Sequence, residues 1–261
     1  MGTSTMKKHA SVLALALMMS AFAGSMAQAA DLAPPPPPQI RPAVSDWTGP
    51  YLGAVLGGTC KEGDMYWHRD TDRNGSIDQV LGGFPVNGCG AIGGVVGGFN
   101  YQMDNIVFGV EGDWQWGGKT GEYASINDTT NPTAGNEEDY FKIKWEASLR
   151  ARLGFLTTDK TLLYATGGIS WMRGELGTTA PGKAAFRETH TGYIIGGGIE
   201  HALTENIHVR AEYLFSSYKS KFYGTFCSAA SCSGVPTDVK YGPDQHTFRL
   251  GVTWNFPVSQ W

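Results

Sequence analysis

Tyr140-Phe141-Lys142-Ile143-Lys144-Trp145-Glu146-Ala147-Ser148-Leu149-Arg150-Ala151-Arg152-Leu153-Gly154-Phe155 alternates at every step. Phe141, Ile143, Trp145, Ala147, Leu149, Ala151, Leu153 and Phe155 share one parity, and Lys142, Lys144, Glu146, Ser148, Arg150, Arg152 and Gly154 share the other. Successive side chains of a strand point to opposite faces, so the stretch predicts a β-strand with one apolar and one ionic face. Fully extended it runs roughly 50 Å, against about 17–20 Å for an ordinary globular strand. A tilted strand that crosses an outer membrane and continues past it accounts for both the pattern and the length.

The rest of the chain repeats this signal. Strands are expected at roughly 48–59, 89–102, 105–117, 140–155, 160–173, 188–201, 206–222 and 245–256, and the connections between them alternate strictly between long and short. Tight polar turns fall at 103–105, 157–159 and 202–205, and long connections near 60–88, 118–139, 174–187 and 223–244. The fold class this predicts is all-β: an eight-stranded antiparallel up-and-down transmembrane β-barrel. Short turns then face the periplasm and long loops the outside, and an even strand number puts both termini in the periplasm. Ile106, Phe108, Val110, Trp114 and Trp116 are expected to face lipid, as are Val209, Ala211, Tyr213 and Phe215, and Phe248, Leu250, Val252, Trp254 and Phe256. The glycines of 93–98 and 196–198 are expected to relieve crowding or allow tight curvature in a narrow barrel.

The N-terminal part reads as targeting. Lys7 and Lys8 precede an apolar run from Ala10 to Ala23, and Ala27-Gln28-Ala29-Ala30 supplies a small-residue cleavage site, so residues 1–30 read as a signal peptide. The run is shorter than the ~20 residues of a spanning helix. Residues 31–46 form a leader with five consecutive prolines from Pro34 to Pro38, which favour extended polyproline II and cannot join a sheet ladder. It reads as a stiff periplasmic spacer or a segment for a periplasmic partner such as peptidoglycan. The barrel domain then covers 47–261. Hydrophobic residues make up 41 %, and glycine interrupts the apolar stretches, so a membrane location requires a closed barrel. Removing Lys7 and Lys8 takes the formal charge from −4 to −6, which with no basic stripe argues against nucleic acid.

Four cysteines remain after cleavage: Cys60, Cys89, Cys227 and Cys232. An exported chain with an even count predicts disulfides, and neither pair has zinc-type spacing. Cys60 and Cys89 flank loop one, Cys227 and Cys232 lie in loop four, and pairing across loops stays open. The interior parity collects Glu111, Asp113, Glu146, Glu200 and Glu212 against Lys142, Lys144, Arg150, Arg152, Arg210 and Arg249. Eight strands enclose an interior that side chains can just fill. These charges therefore either cross-link a plugged core or line a narrow ion path. In loop one, Asp70, Asp72, Asn74 and Asp78 match the oxygen positions of a calcium loop with Gly75 at its sixth place, but the twelfth, where a glutamate belongs, is Leu81. Calcium binding and a solvated acidic turn are both consistent with that pattern; no other cofactor is expected. His68, His190, His201, His208 and His246 form no recognisable Ser/His/carboxylate arrangement, so the chain reads as a non-enzyme. Ligand capture by the loops, of haem or a host surface, is a further reading, with Tyr66, Trp67, His68, Tyr123 and Tyr223 as contributors.

Several segments resemble the outer-membrane immunogenic proteins of alphaproteobacteria: the Ala-rich signal, the leader's Asp31-Leu32-Ala33-Pro34, Trp47-Thr48-Gly49-Pro50-Tyr51-Leu52-Gly53, Gly109-Val110-Glu111-Gly112-Asp113-Trp114, Tyr164-Ala165-Thr166-Gly167-Gly168 and Arg210-Ala211-Glu212-Tyr213. The resemblance spans nearly all of the chain after the signal, with the motifs in order. It implies an eight-stranded OmpA-like barrel and a surface-exposed protein with roles from envelope integrity to porin-like permeability. Outer-membrane lipid, lipopolysaccharide and the barrel-assembly machinery are the partners implied. It supplies no catalytic residues. Two features depart from the family pattern: the cysteines, and the tail Pro257-Val258-Ser259-Gln260-Trp261, whose Trp261 stands where a terminal aromatic read by the assembly machinery is expected.

Overall fold

The computed structural model describes residues 46–69, 79–117, 121–123, 139–178, 185–223, 237–256 and 258. The signal peptide, the proline leader, the 70–78 segment, Cys227, Cys232 and Trp261 lie outside the described residues. The elements are β1 (Gly49–Glu62), β2 (Asp64–Arg69), β3 (Gln79–Pro85), β4 (Gly88–Met103), β5 (Ile106–Gly117), β6 (Gly121–Tyr123), β7 (Asp139–Thr158), β8 (Thr161–Thr178), β9 (Phe186–Ala202), β10 (Ile207–Tyr218), β11 (Lys221–Tyr223), β12 (Thr237–Tyr241) and β13 (Asp244–Asn255). Eight of them close an antiparallel ring in the order β1-β4-β5-β7-β8-β9-β10-β13, with β13 returning to β1. Closure leaves no unpaired edge in the ring, which is what lipid demands of a β-structure. The two-residue turn after β4 holds Asp104 at φ 53°, a left-handed conformation that aspartate tolerates.

The outer wall carries the apolar parity. Its band covers roughly 50–58, 91–103, 106–116, 145–157, 161–171, 193–203, 207–215 and 248–256, where Leu52, Phe108, Val110, Leu153, Leu163, Ile199 and Leu250 are exposed. These stretches match the ~9–11 residues a tilted transmembrane strand needs. Trp114, Trp116, Trp145, Trp171, Tyr193 and Tyr213 ring the end of the band nearest the long connections, with Trp114 stacked on Trp145 at 4.5 Å. Tyr101, Phe155 and Trp254 mark the short-turn end. Two aromatic girdles around an apolar wall are the signature of a membrane barrel.

The strand at 140–155 departs from its expected regularity. It runs on to Thr158, and Ile143 pairs with Gly174 while Trp145 pairs with Arg173, so Lys144 is a bulge residue. A bulge advances the strand by one residue and exchanges its faces. Above it Phe141 and Ile143 are buried inside while Lys142 is exposed; below it Glu146, Ser148, Arg150 and Arg152 point inward as expected. Lys142 and Lys144 are therefore not interior residues. The cause is a change of surroundings at the upper girdle. Outside, lipid gives way to water, which favours lysine; inside, the charged layer gives way to an apolar cap.

That cap rests on a second sheet within the long connections, ordered β11-β12-β2-β3. Only long connections were expected near 60–88 and 223–244, and the seventh strand to continue to 222; instead both connections contribute strands, β10 ends at Tyr218 and Lys221–Tyr223 joins the second sheet. Met65, Val86, Phe141, Ile143, Met172, Leu176, Tyr218, Tyr223 and Tyr241 form one buried cluster, in which Phe141 meets Tyr241 edge-on at 4.8 Å. Burying a side chain of this size contributes about 1.5–3 kcal/mol, enough to favour the bulge. At the short-turn end Trp47, Val107, Leu156, Leu162, Tyr164 and Ala202 form another cluster.

Candidate functional site

Between the two apolar clusters lies a layer of charge. Consecutive inward positions on β5 supply Glu111, Asp113 and Gln115, β7 supplies Glu146, Arg150 and Arg152, β9 supplies Glu200, β10 supplies His208, Arg210 and Glu212, and β13 supplies Gln245 and Arg249. Alternation at two residues per repeat is what brings all of them to the barrel axis. The Arg150 guanidinium, fully buried, donates to Glu111, to Asp113 at 2.9 Å and to Glu212 at 2.9 Å. Arg249 donates to Glu212 at 2.6 Å and to Asp113 at 3.2 Å, and Arg210 to Glu111. Arg152 reaches Glu200 at 2.6 Å, and Glu200 also faces His208 at 3.3 Å. Four arginines thus meet four carboxylates in one network, the forked arrangement that guanidinium groups form best.

Two tyrosines complete it. Tyr51 donates to Glu111 at 2.6 Å, and the Arg152 guanidinium lies 3.9 Å over the Tyr164 ring. Each ring crosses a glycine on the neighbouring strand: Tyr51 is registered with Gly98 and Tyr164 with Gly198. A Cβ at Gly98 would stand 2.6 Å from the Tyr51 hydroxyl, and one at Gly198 2.7 Å from that of Tyr164. These two glycines leave the space in which the rings lie flat against the wall.

The sequence reading missed Lys61, which follows the inward positions Val55, Gly57 and Thr59 on β1 but lies beyond the expected strand end. It is buried; desolvation lowers its pKa to about 8 against the opposing pull of Glu146. Glu146 accepts from Gln115 at 2.9 Å and Gln245 at 3.0 Å. Of the residues assigned to the interior, Glu111, Asp113, Glu146, Arg150, Arg152, Glu200, Arg210, Glu212 and Arg249 are brought together there, whereas Lys142 and Lys144 stand on the outer wall. Lys144 pairs with Glu175 at 2.9 Å, and so does Arg187 at 2.5 Å. Burial pushes the Glu175 carboxyl up, but these two cations outweigh it and hold the pKa below the ordinary value.

Cys60 and Cys89 are direct partners across β1 and β4 and form a disulfide at the base of loop one. Asp70, Asp72, Asn74 and Asp78, the calcium candidates, lie outside the described residues, as do Cys227 and Cys232. Tyr223, a candidate surface ligand, is buried in the cap instead, where its hydroxyl meets His190 Nε2 at 2.6 Å. His190 Nδ1 lies 3.0 Å from the Lys219 carbonyl, so that nitrogen carries the proton and Nε2 accepts from tyrosine. Burial lowers the His190 pKa and keeps the ring neutral.

Comparison with known proteins agrees with this architecture. The family model for the outer membrane protein beta-barrel domain matches residues 13–256. The 31 kDa outer-membrane immunogenic protein of Brucella melitensis is 32 % identical over 256 residues, covering 93 % of this chain and 98 % of that protein. The 22 kDa outer membrane protein of Rhizobium leguminosarum is 30 % identical, covering 83 % and 81 %. Among solved structures, OprG from Pseudomonas aeruginosa aligns with a TM-score of 0.53 at 11 % identity, over 82 % of this chain and all of that one, a likeness of fold alone. The chain belongs to the outer-membrane β-barrel protein family, with the alphaproteobacterial outer-membrane immunogenic proteins among its relatives.

Proposed function

We propose that the protein is a structural, non-conducting and non-catalytic barrel that reinforces the outer membrane, with its long connections outside and its termini in the periplasm. The observation that carries this reading is the layering of the interior. The arginine–carboxylate network is bracketed by an apolar cluster at each end. An ion crossing the barrel would have to pass both clusters and break paired charges between them. Desolvating an ion costs several kcal/mol even after relaxation, so this arrangement opposes flow. Glu111, Asp113, Glu200 and Glu212 each bond to arginine, which leaves them poorly suited to moving protons in a reaction. Cross-linking five strands through one network suits a rigid wall element whose outward face is lipid and whose loops carry the variable contacts.

Planar-bilayer recording on the refolded full mature chain tests this directly. The expected trace is flat at protein loadings where a known porin inserts readily. Reproducible unitary steps whose size changes in Arg150→Met would overturn the structural reading in favour of the narrow channel.

A further inference from the structure

We propose that the outer wall of β7, β8 and β9, immediately above the aromatic girdle, is a binding surface for the phosphorylated sugar headgroup of an outer-leaflet glycolipid, with Lys142, Lys144, Arg173 and Arg187 as its cations. This assignment rests on the membrane placement proposed above, with the long connections outside.

The bulge at Lys144 builds the surface. By exchanging the faces of β7 it turns both lysines outward at the level where the lipid ends. Register then sets Lys142, Glu175 and Arg187 in one row across the three strands. The row below is Trp145, Arg173 and Thr189, with the Arg173 guanidinium held by the Thr189 hydroxyl at 2.9 Å. Within β7, β8 and β9, Glu175 is the anion on this outer face among the described residues, so four cations against one carboxylate leave a net charge of three on these strands; Glu122 of β6, registered with Tyr140, stands at the edge of the patch. Glu188 does not offset it, because its partner Gly174 faces Tyr223 and Phe141 on the inside. The Arg187 side chain is 57 % exposed, and that of Lys144 35 %, so their bonds to Glu175 orient the cations without covering them.

Directly beneath, Trp171 and Tyr193 mark the girdle, followed by Leu149, Ile169 and Ile195 on the same wall. Three neighbouring strands span about 10 Å, room for a headgroup with more than one phosphate above and acyl chains below. Cations grouped at this depth attract anionic lipid by charge, and guanidinium forks match phosphate oxygens. A soluble anion would meet the cations but gain nothing from the apolar wall, so the surface fits an amphiphile.

The test uses the refolded full mature chain in phosphatidylcholine nanodiscs doped with diphosphoryl lipid A, monophosphoryl lipid A or phosphatidylglycerol, with lipid retained on the captured protein measured by mass spectrometry. Diphosphoryl lipid A should be enriched most and phosphatidylglycerol least. The double variant Lys142→Gln/Arg187→Gln should lower the lipid A enrichment by roughly 25-fold, given about fivefold per cation near a charged surface. Lys160→Gln, in a short turn at the far end, should leave it unchanged. Equal enrichment in the double variant, or phosphatidylglycerol held as strongly as lipid A, would overturn the proposal. Lys142→Gln alone, at an exposed side chain, preserves the test if the double variant misfolds. Because both nanodisc leaflets carry the lipid, the outcome is independent of orientation in the cell, and a conducting barrel would refute the structural reading without touching this one.

Discussion

Replacing Arg150 by methionine keeps an unbranched apolar stem and removes the guanidinium, and with it the charge that three carboxylates share. In the native barrel its two terminal nitrogens serve Glu111, Asp113 and Glu212 with no exposure to solvent. The remaining Arg152, Arg210 and Arg249 must then balance Glu111, Asp113, Glu200 and Glu212, three charges against four. Breaking a buried pair by removing one partner costs about 3–5 kcal/mol, because the carboxylate left behind stays desolvated. With a urea slope of about 2 kcal/mol per molar, that corresponds to a midpoint lowered by roughly 2 M. The assay is urea unfolding of the refolded barrel in lipid vesicles, followed by tryptophan emission. The companion variant Arg150→Met/Glu212→Gln restores three against three, so it should recover at least half of the loss, a coupling of about 2 kcal/mol. If the single variant loses less than ~1 kcal/mol, water reaches the network and softens it, and the sealed interior on which the functional proposal depends is wrong. Strictly additive losses would show that Arg150 and Glu212 do not share one network.

Other perturbations probe the parts around that layer. Gly198→Ala places a methyl 2.5 Å from the Ala211 carbonyl and 2.7 Å from the Tyr164 hydroxyl, and should destabilise by about 1–3 kcal/mol in the same assay, whereas Gly58→Ala, whose Cβ meets nothing closer than 3.8 Å, should be nearly silent. Reducing Cys60–Cys89, which closes a separation of 29 residues, should lower stability by about 3–4 kcal/mol in the chain-entropy account without opening the barrel, seen as a lower urea midpoint with unchanged circular dichroism. Acid should loosen the cap: His190 is held neutral with its pKa below the usual ~6.5, so as pH falls through that value the released state gains a proton that the packed state does not, and cap stability declines by up to about 1.4 kcal/mol per pH unit. The protection factor at Lys221–Tyr223, exchange corrected for its intrinsic pH dependence, should therefore fall between pH 7 and 5 in the wild type and stay level in His190→Gln; a level protection factor in the wild type would refute the role of His190.

Most of the ring was legible because lipid outside and charge inside impose one parity on each strand. Arg249 and Thr253 on β13, and Arg210 and Glu212 on β10, fall inside as their alternation requires. What escaped the sequence sits beyond the girdle, where that rule no longer holds. Lys142 and Lys144 continue the charged parity in the sequence without a break, and no residue type announces the bulge; it follows from contacts of Phe141 and Ile143 with residues more than 70 positions away in Tyr223 and Tyr241. Lys61 was lost for a related reason: β1 continues past Cys60 because Cys89 and His246 pair on either side of it, a property of neighbouring strands. The four-stranded sheet joins loop one to loop four across the whole chain, and such non-local pairing leaves no local period to read. The glycines opposite Tyr51 and Tyr164 were visible as glycines, but their partners depend on register.

The same change of environment links the bulge, the cap and the charged layer into one physical scheme. A strand whose parity held beyond the girdle would point Lys142 and Lys144 into the cap, at several kcal/mol per unpaired charge, and Phe141 into water. One extra residue in β7 exchanges both faces together, so the cap stays dry and the lysines remain outside. A dry cap in turn keeps water off Arg150 and its carboxylates, where a lower local dielectric strengthens each pair. Deleting Lys144 should therefore leave the faces unchanged, because Trp145 then follows Ile143 in regular alternation with Lys142 still outside. Ile143→Lys instead forces the cap to accept charge, and both the protection of the cap around His190 and the urea resistance of the ionic layer should weaken in the same protein. Weakening of the cap alone, with the ionic layer at full urea resistance, would show that the network needs no seal and that the two layers are energetically independent.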